Sequence, residues 1–183
     1  MENWIALLRG VNVGGRNKLP MKALVAELEA MGLADVKTYI QSGNVVLRCA
    51  KARAANLGAE IAGAINEKFG FLPNVVVINA KDLAKAKKAN PYPEADNETD
   101  GKRLHFIFLA SVPRSIDADR LNAVRRPSEQ WQIKGTVFYL HTPEGFGDSK
   151  LANQVEKILG VTTTARNLLT VNALLELAQT STL

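Results

Sequence analysis

The hydrophobic pattern of this chain changes period in the same order twice, and that repetition constrains the fold more than any single motif. Residues 4–8 (Trp4, Ile5, Ala6, Leu7, Leu8) form a short apolar run. Met21, Leu24, Val25, Leu28 and Met31 then recur at helical spacing. Pro20 ahead of them suits a first helical turn, and Gly32 behind them suits a C-terminal stop. Residues 36–40 are β-branched and alternating, Ser42-Gly43-Asn44 is turn chemistry, and residues 45–47 resume a strand, so the pair reads as a hairpin. Leu57, Ile61, Ile65 and Phe69 lie four apart ahead of Gly70, and residues 75–78 are a short apolar strand. The order is βαββαβ.

The second half repeats it. Residues 104–109 read as a strand and 116–124 as a helix. Residues 130–133 and 136–140 flank Lys134-Gly135 as a second hairpin. A helix from Ser149 aligns Leu151, Val155, Ile158 and Leu159 and stops at Gly160, and residues 161–165 are strand-like. A last helix follows Asn167, a good N-cap, with Leu168, Val171, Leu174, Leu175 and Ala178 on one face. Between the halves, residues 79–102 begin as a short basic helix and become rich in Pro, Asp and Asn, which reads as a linker or exposed connection. The expected fold class is therefore α+β, with two ferredoxin-like βαββαβ halves in tandem duplication and a C-terminal helix. The divisions are residues 1–80, 81–102 and 103–183. The repetition is architectural; no residue-level identity links the halves.

A chain of 183 residues can bury enough surface to fold without disulfide or metal staples. Its one cysteine, Cys49, forms no internal disulfide, a usage that fits a reducing cytoplasm. No run is long enough for a secretory core or a membrane span, so a cytoplasmic location and no membrane partner are expected. The net charge of +5 is modest. It suits surplus surface lysines, and it also permits an anionic partner drawn by the positive field.

The densest polar chemistry is RGVNVGGRNKLP, residues 9–20, which has three cations, three glycines and no acid. A strand, a glycine-rich cationic loop and a helix start can together present N–H groups and positive charge to an anion. In a βαββαβ unit the loop after the first strand and the hairpin between the second and third share one end of the sheet. Arg9, Asn12, Gly14, Gly15, Arg16 and Lys18 should therefore lie beside Ser42, Gly43 and Asn44, with donors facing outward. At the opposite end, in the second half, the segment 145–150 and the residues after the last strand should meet. Ser149, Lys150, Arg166 and Asn167 would then cluster at two helix N-termini, with Asp148 discordant. The alternative for each feature is local: glycines that only turn the chain, an asparagine that only caps a helix, an arginine paired to a carboxylate.

Known local motifs are absent, the nucleophile elbow among them; a Ser/His/Asp triad assembles in space, so spacing leaves it open. Gly10 and Gly15 have the spacing of a phosphate-binding loop, but Arg16-Asn17 stands where Lys-Ser or Lys-Thr is required. The dinucleotide fingerprint is missing. With one cysteine and no close histidine pair, neither a metal site nor a cofactor is expected. The third strand of the first half, VVLR, has no aromatic, and the second half offers Phe138 and Tyr139 on opposite faces. That argues against stacking of single-stranded RNA on the sheet.

The blocks ALLRGVNVGGRNKLPM, YIQSGNVVL, NPYP, GDSKL and TARNLLTV resemble the signature blocks of a bacterial family, domain of unknown function 1697, from about residue 3 to 178. The resemblance implies two ferredoxin-like halves and no activity. Two departures bear on the second cluster. Asp148 stands where the family usually has arginine, and Leu168 where it commonly has tryptophan.

The leading reading is a binding protein for a phosphorylated or otherwise anionic ligand, a nucleotide or a nucleic-acid backbone. The second is an enzyme on a small anionic metabolite, with Lys18, Lys150, Tyr39 and Asp148 as acid–base candidates. The third is a structural or partner-binding protein whose polar loops only pack.

Overall fold

A computed structural model describes residues 1–180. The chain forms two compact units: Met1–Lys85 with the chain from Ala173, and Ala86–Asn172. The boundaries fall inside two helices, so neither unit is a simple half of the sequence.

The first unit contains strand β1 (Glu2–Leu8), helix α1 (Met21–Ala30), β2 (Ala34–Tyr39), β3 (Asn44–Cys49), α2 (Ala54–Phe69) and β4 (Val75–Asn79). Its antiparallel sheet has the order β2-β3-β1-β4. β1 is central, pairing Leu7 with Asn44 on one side and Leu8 with Val75 on the other. Ala6, Leu8, Val45 and Leu47 face Leu24 and Leu28 of α1 and Leu57, Ile61 and Ile65 of α2, and all are buried. α2 stops at Gly70, which takes a left-handed φ of 76° while its N–H bonds to the Asn66 carbonyl.

Helix α3 (Ala80–Lys88) leads into the second unit. That unit contains β5 (Leu104–Leu109), α4 (Ala118–Val124), β6 (Gln130–Lys134), β7 (Val137–His141), α5 (Lys150–Leu159) and β8 (Thr163–Asn167); α6 (Leu168–Gln179) closes the chain. The sheet order, β6-β7-β5-β8, repeats that of the first unit. Ile107, Leu109, Phe138 and Leu140 pack against Leu121, Leu151, Val155 and Leu159.

The repetition extends to single hydrogen bonds. At the end of β1, Leu8 N–H donates to the Gly43 carbonyl and Arg9 N–H to the Asn74 carbonyl. At the end of β5, Leu109 N–H donates to the Thr136 carbonyl and Ala110 N–H to the Thr162 carbonyl. Each unit thus ties the end of its first strand to its hairpin, and the start of its first loop to the residue before its last strand, by the same pair of bonds.

Three expectations are corrected. The stretch after α3 is exposed only in part: Tyr92 and Ala95 are buried in it, and within α3 the Ala86 carbonyl accepts from Tyr139 Oη at 2.8 Å. Its apolar anchors are too irregularly spaced to show as a helical or strand period. α4 starts two residues later than the pattern suggested, because Asp117 caps it by accepting the Arg120 N–H. The last strand runs on to Asn167.

Candidate functional site

The loop between β1 and α1 and the hairpin between β2 and β3 do share a rim. Asn12 joins them: its Nδ2 donates to the Gln41 carbonyl at 2.8 Å and to the Leu19 carbonyl at 2.9 Å. Its Oδ1 accepts the Leu19 N–H at 2.8 Å. An asparagine side chain has two N–H donors, and both are engaged. Asn17 closes the loop from the other side, donating to the Gly10 carbonyl at 2.9 Å while its own carbonyl accepts the Asn12 N–H. Both asparagines have positive φ, 54° and 50°. Asparagine tolerates that conformation better than other non-glycine residues.

At the tip, Val13 pairs with Arg16 across Gly14 and Gly15, whose φ values are 58° and 75°. Positive φ at both central residues is what a primed two-residue turn requires. In the hairpin, Gly43 has φ 74°, and a Cβ there would stand 2.6 Å from Val11 Cγ2 and 2.7 Å from Leu8 Cβ. Glycine is thus needed both for the turn and for the close approach of the loop. Asn44 is fully buried and donates to the Tyr39 carbonyl and to Ser42 Oγ.

The amides of Asn12 and Asn44 therefore hold the rim together; they do not face outward as expected. The cations are arranged differently. Arg9, Arg16 and Lys18 are exposed, and among the described residues no carboxylate pairs with Arg16 or Lys18. The N-terminus of α1, just beyond Lys18, has no capping side chain and no acid in its first turn. Gly14 and Gly15 face open space.

In the second unit, Leu104 pairs with His141 and His105 with Asn167, so the exit of β7 and the end of β8 lie at one end of the sheet. The polar groups there are used locally. Ser149 is buried and its Oγ accepts the Ala152 N–H at 3.0 Å, capping α5. Asn167 Oδ1 accepts the Thr170 N–H at 2.9 Å, capping α6. Arg166 Nη1 donates to Thr164 Oγ1 and to the Ala165 carbonyl, and burial lowers its pKa to about 10. Lys150 is exposed at the start of α5. The Asp148 carbonyl accepts from Arg126 Nη2. This end is a pair of capped helices, not a set of open donors.

Two features escaped the sequence. His105 stacks on Phe146 with ring centroids 3.8 Å apart, and burial lowers its pKa to about 4. Ile40, read as a strand residue, lies outside β2 with φ 49° and its side chain exposed. Neither has a local sequence signal. Among the described residues, no three His, Cys, Asp or Glu side chains gather as a metal site, and no helix is long and apolar enough to cross a membrane.

The protein is thus of α+β class, built of two ferredoxin-like units, each with the end of its first strand bonded to its hairpin. A solved structure of a conserved bacterial protein, SP0830 from Streptococcus pneumoniae, has the same fold. It is 22% identical, with a TM-score of 0.64, over 97% of this chain and 98% of that one. The profile of DUF1697, a protein family of unknown function, matches residues 1–139, and the chain belongs to that family. No curated protein gives a significant match.

Proposed function

We propose that the protein binds a phosphate-bearing ligand, a nucleotide or a nucleic-acid backbone, on the rim formed by residues 9–20 and 41–44. One observation carries this reading. Arg16 and Lys18 stand exposed and, among the described residues, without a carboxylate partner, on a loop braced by the Asn12 and Asn17 side chains. Cations on a fixed support pair with phosphate oxygens at less entropic cost than cations on a mobile one. The uncapped N-terminus of α1 adds positive potential beside them. The second cluster, around Ser149, Lys150, Arg166 and Asn167, has its capping groups occupied, so the ligand is assigned to the first rim. Cys49 is buried and unbridged, which agrees with action in a reducing compartment such as the cytoplasm.

The test is a titration with inorganic tripolyphosphate, followed through the amide resonances of Gly10, Gly14 and Gly15. Saturable shifts at these glycines, abolished in Arg16→Ala/Lys18→Ala, are expected. Shifts that persist unchanged in the double variant, or that appear only around Lys150 and Arg166, would reject the assignment.

A further inference from the structure

Among the described residues, six large apolar side chains are exposed: Met1, Val13, Ile40, Leu72, Val112 and Ile116. Their distribution is not scattered. Val13, Ile40 and Leu72, at 64%, 54% and 68% exposure, stand at the same end of the first sheet as the cationic loop. Val13 is in that loop, Ile40 adjoins Gln41, whose carbonyl binds Asn12, and Leu72 precedes Asn74, whose carbonyl binds Arg9 N–H. Val112 and Ile116 lie in the second unit's loop after β5, the counterpart of the loop after β1.

Ile40 is the most informative of the three. A β-branched residue at φ 49° is strained, and no neighbouring apolar core repays the strain, because more than half of the side chain is in water. Asparagine or glycine would fit that backbone better.

We infer that this rim holds single-stranded nucleic acid, with phosphates on Arg16 and Lys18 and unpaired bases resting on Val13 and Ile40. The inference builds on the phosphate-binding reading above and names its ligand. The paired positions of Val13 and Arg16 decide between occupants. They place an apolar and a cationic side chain next to each other at one level of the turn. A strand of nucleotides alternates base and phosphate at that kind of interval, and only unpaired bases offer their apolar faces. A bilayer would require the apolar tips to enter roughly 5–10 Å beyond the cations. A protein partner is less suited, since exposed Val and Leu are under-represented among residues that dominate such interfaces. Aliphatic contact with a base face is sequence-tolerant, so no strong base preference is expected.

The test measures fluorescence anisotropy of a labelled oligothymidylate of about 20 nucleotides, longer than the roughly 4–16 nucleotides of a single-strand site, against a duplex of equal length. The single strand should bind at least about tenfold more tightly at equal salt. Ile40→Asn should weaken that binding about tenfold while leaving the salt slope unchanged, and Arg16→Ala should reduce the slope by about one. Thermal melting confirms that Ile40→Asn is folded, and the strain argument expects it to melt no lower than the parent. Equal binding of duplex and single strand, or no effect of Ile40→Asn, would overturn the inference while leaving phosphate binding intact. Ile40-dependent binding to phosphatidylglycerol vesicles without oligonucleotide binding would overturn it in favour of a lipid surface. If neither oligonucleotide nor tripolyphosphate binds, both readings fail.

Discussion

Asn12 Nδ2 donates to the Gln41 carbonyl at 2.8 Å, and that bond ties the cationic loop to the β2–β3 hairpin across 29 residues of sequence. The same side chain makes two further bonds to Leu19, so one residue fixes both the loop and the approach to α1.

Asn12→Ala removes all three bonds and places alanine at φ 54°. At about 1 kcal/mol net per bond, a loss of about 2–3 kcal/mol is expected in urea denaturation. Asn12→Asp keeps the acceptor for Leu19 N–H and should fall between the two. A loss under about 0.5 kcal/mol for alanine would show that the bonds are replaced by water without penalty.

Gly43→Ala meets Val11 and Leu8 side-chain atoms under 3 Å away and adds strain at φ 74°. Overpacking and positive-φ strain together should destabilise by about 3 kcal/mol. The equilibrium unfolding midpoint measures this, and an unchanged midpoint would mean that loop and hairpin are not in contact in solution.

Ile40→Asn should raise stability by about 1 kcal/mol, the relief of a left-handed conformation at a β-branched residue. A lower urea midpoint would show instead that Ile40 packs against the chain.

His105 gives the protein an acid-sensitive element. Its pKa is lowered from the usual 6.5 to about 4, mainly because burial against Phe146 disfavours the charged ring. In the unfolded chain the ring takes up a proton as pH falls below 6.5, whereas the folded ring does not until about 4. The unfolded state therefore binds more protons in that window, and stability is lost as pH falls through it. Between pH 7 and 4 the parent should lose about 3 kcal/mol more than His105→Phe, which keeps a ring on Phe146 and does not titrate. Parallel pH profiles for the two proteins would contradict this.

Ser149→Ala should cost about 1 kcal/mol, the usual worth of an N-cap, with no change in tripolyphosphate binding. Weakened binding would return the second cluster to consideration as a ligand site.

Much of this architecture is legible in local pattern. The apolar periods of residues 21–31 and 57–69, the turn at Ser42-Gly43-Asn44 and the cap at Asn167 each act within a few residues, and all appear where the sequence puts them. The topology that follows brings the loop after β1 to the hairpin end of the sheet. The fate of individual polar groups is not local. Asn12 and Asn44 have the composition of ligand contacts, but their partners are carbonyls and hydroxyls presented by the folded chain.

Local patterning set the repeated βαββαβ order and the rim on which the cations gather, because helix and strand periods and turns depend on neighbours in the chain. Long-range packing is what turns the asparagines onto the protein itself, buries His105 on Phe146, and leaves Ile40 strained and exposed. Hydrogen-bond satisfaction and burial depend on groups brought together from distant positions, and no local period records which groups those will be.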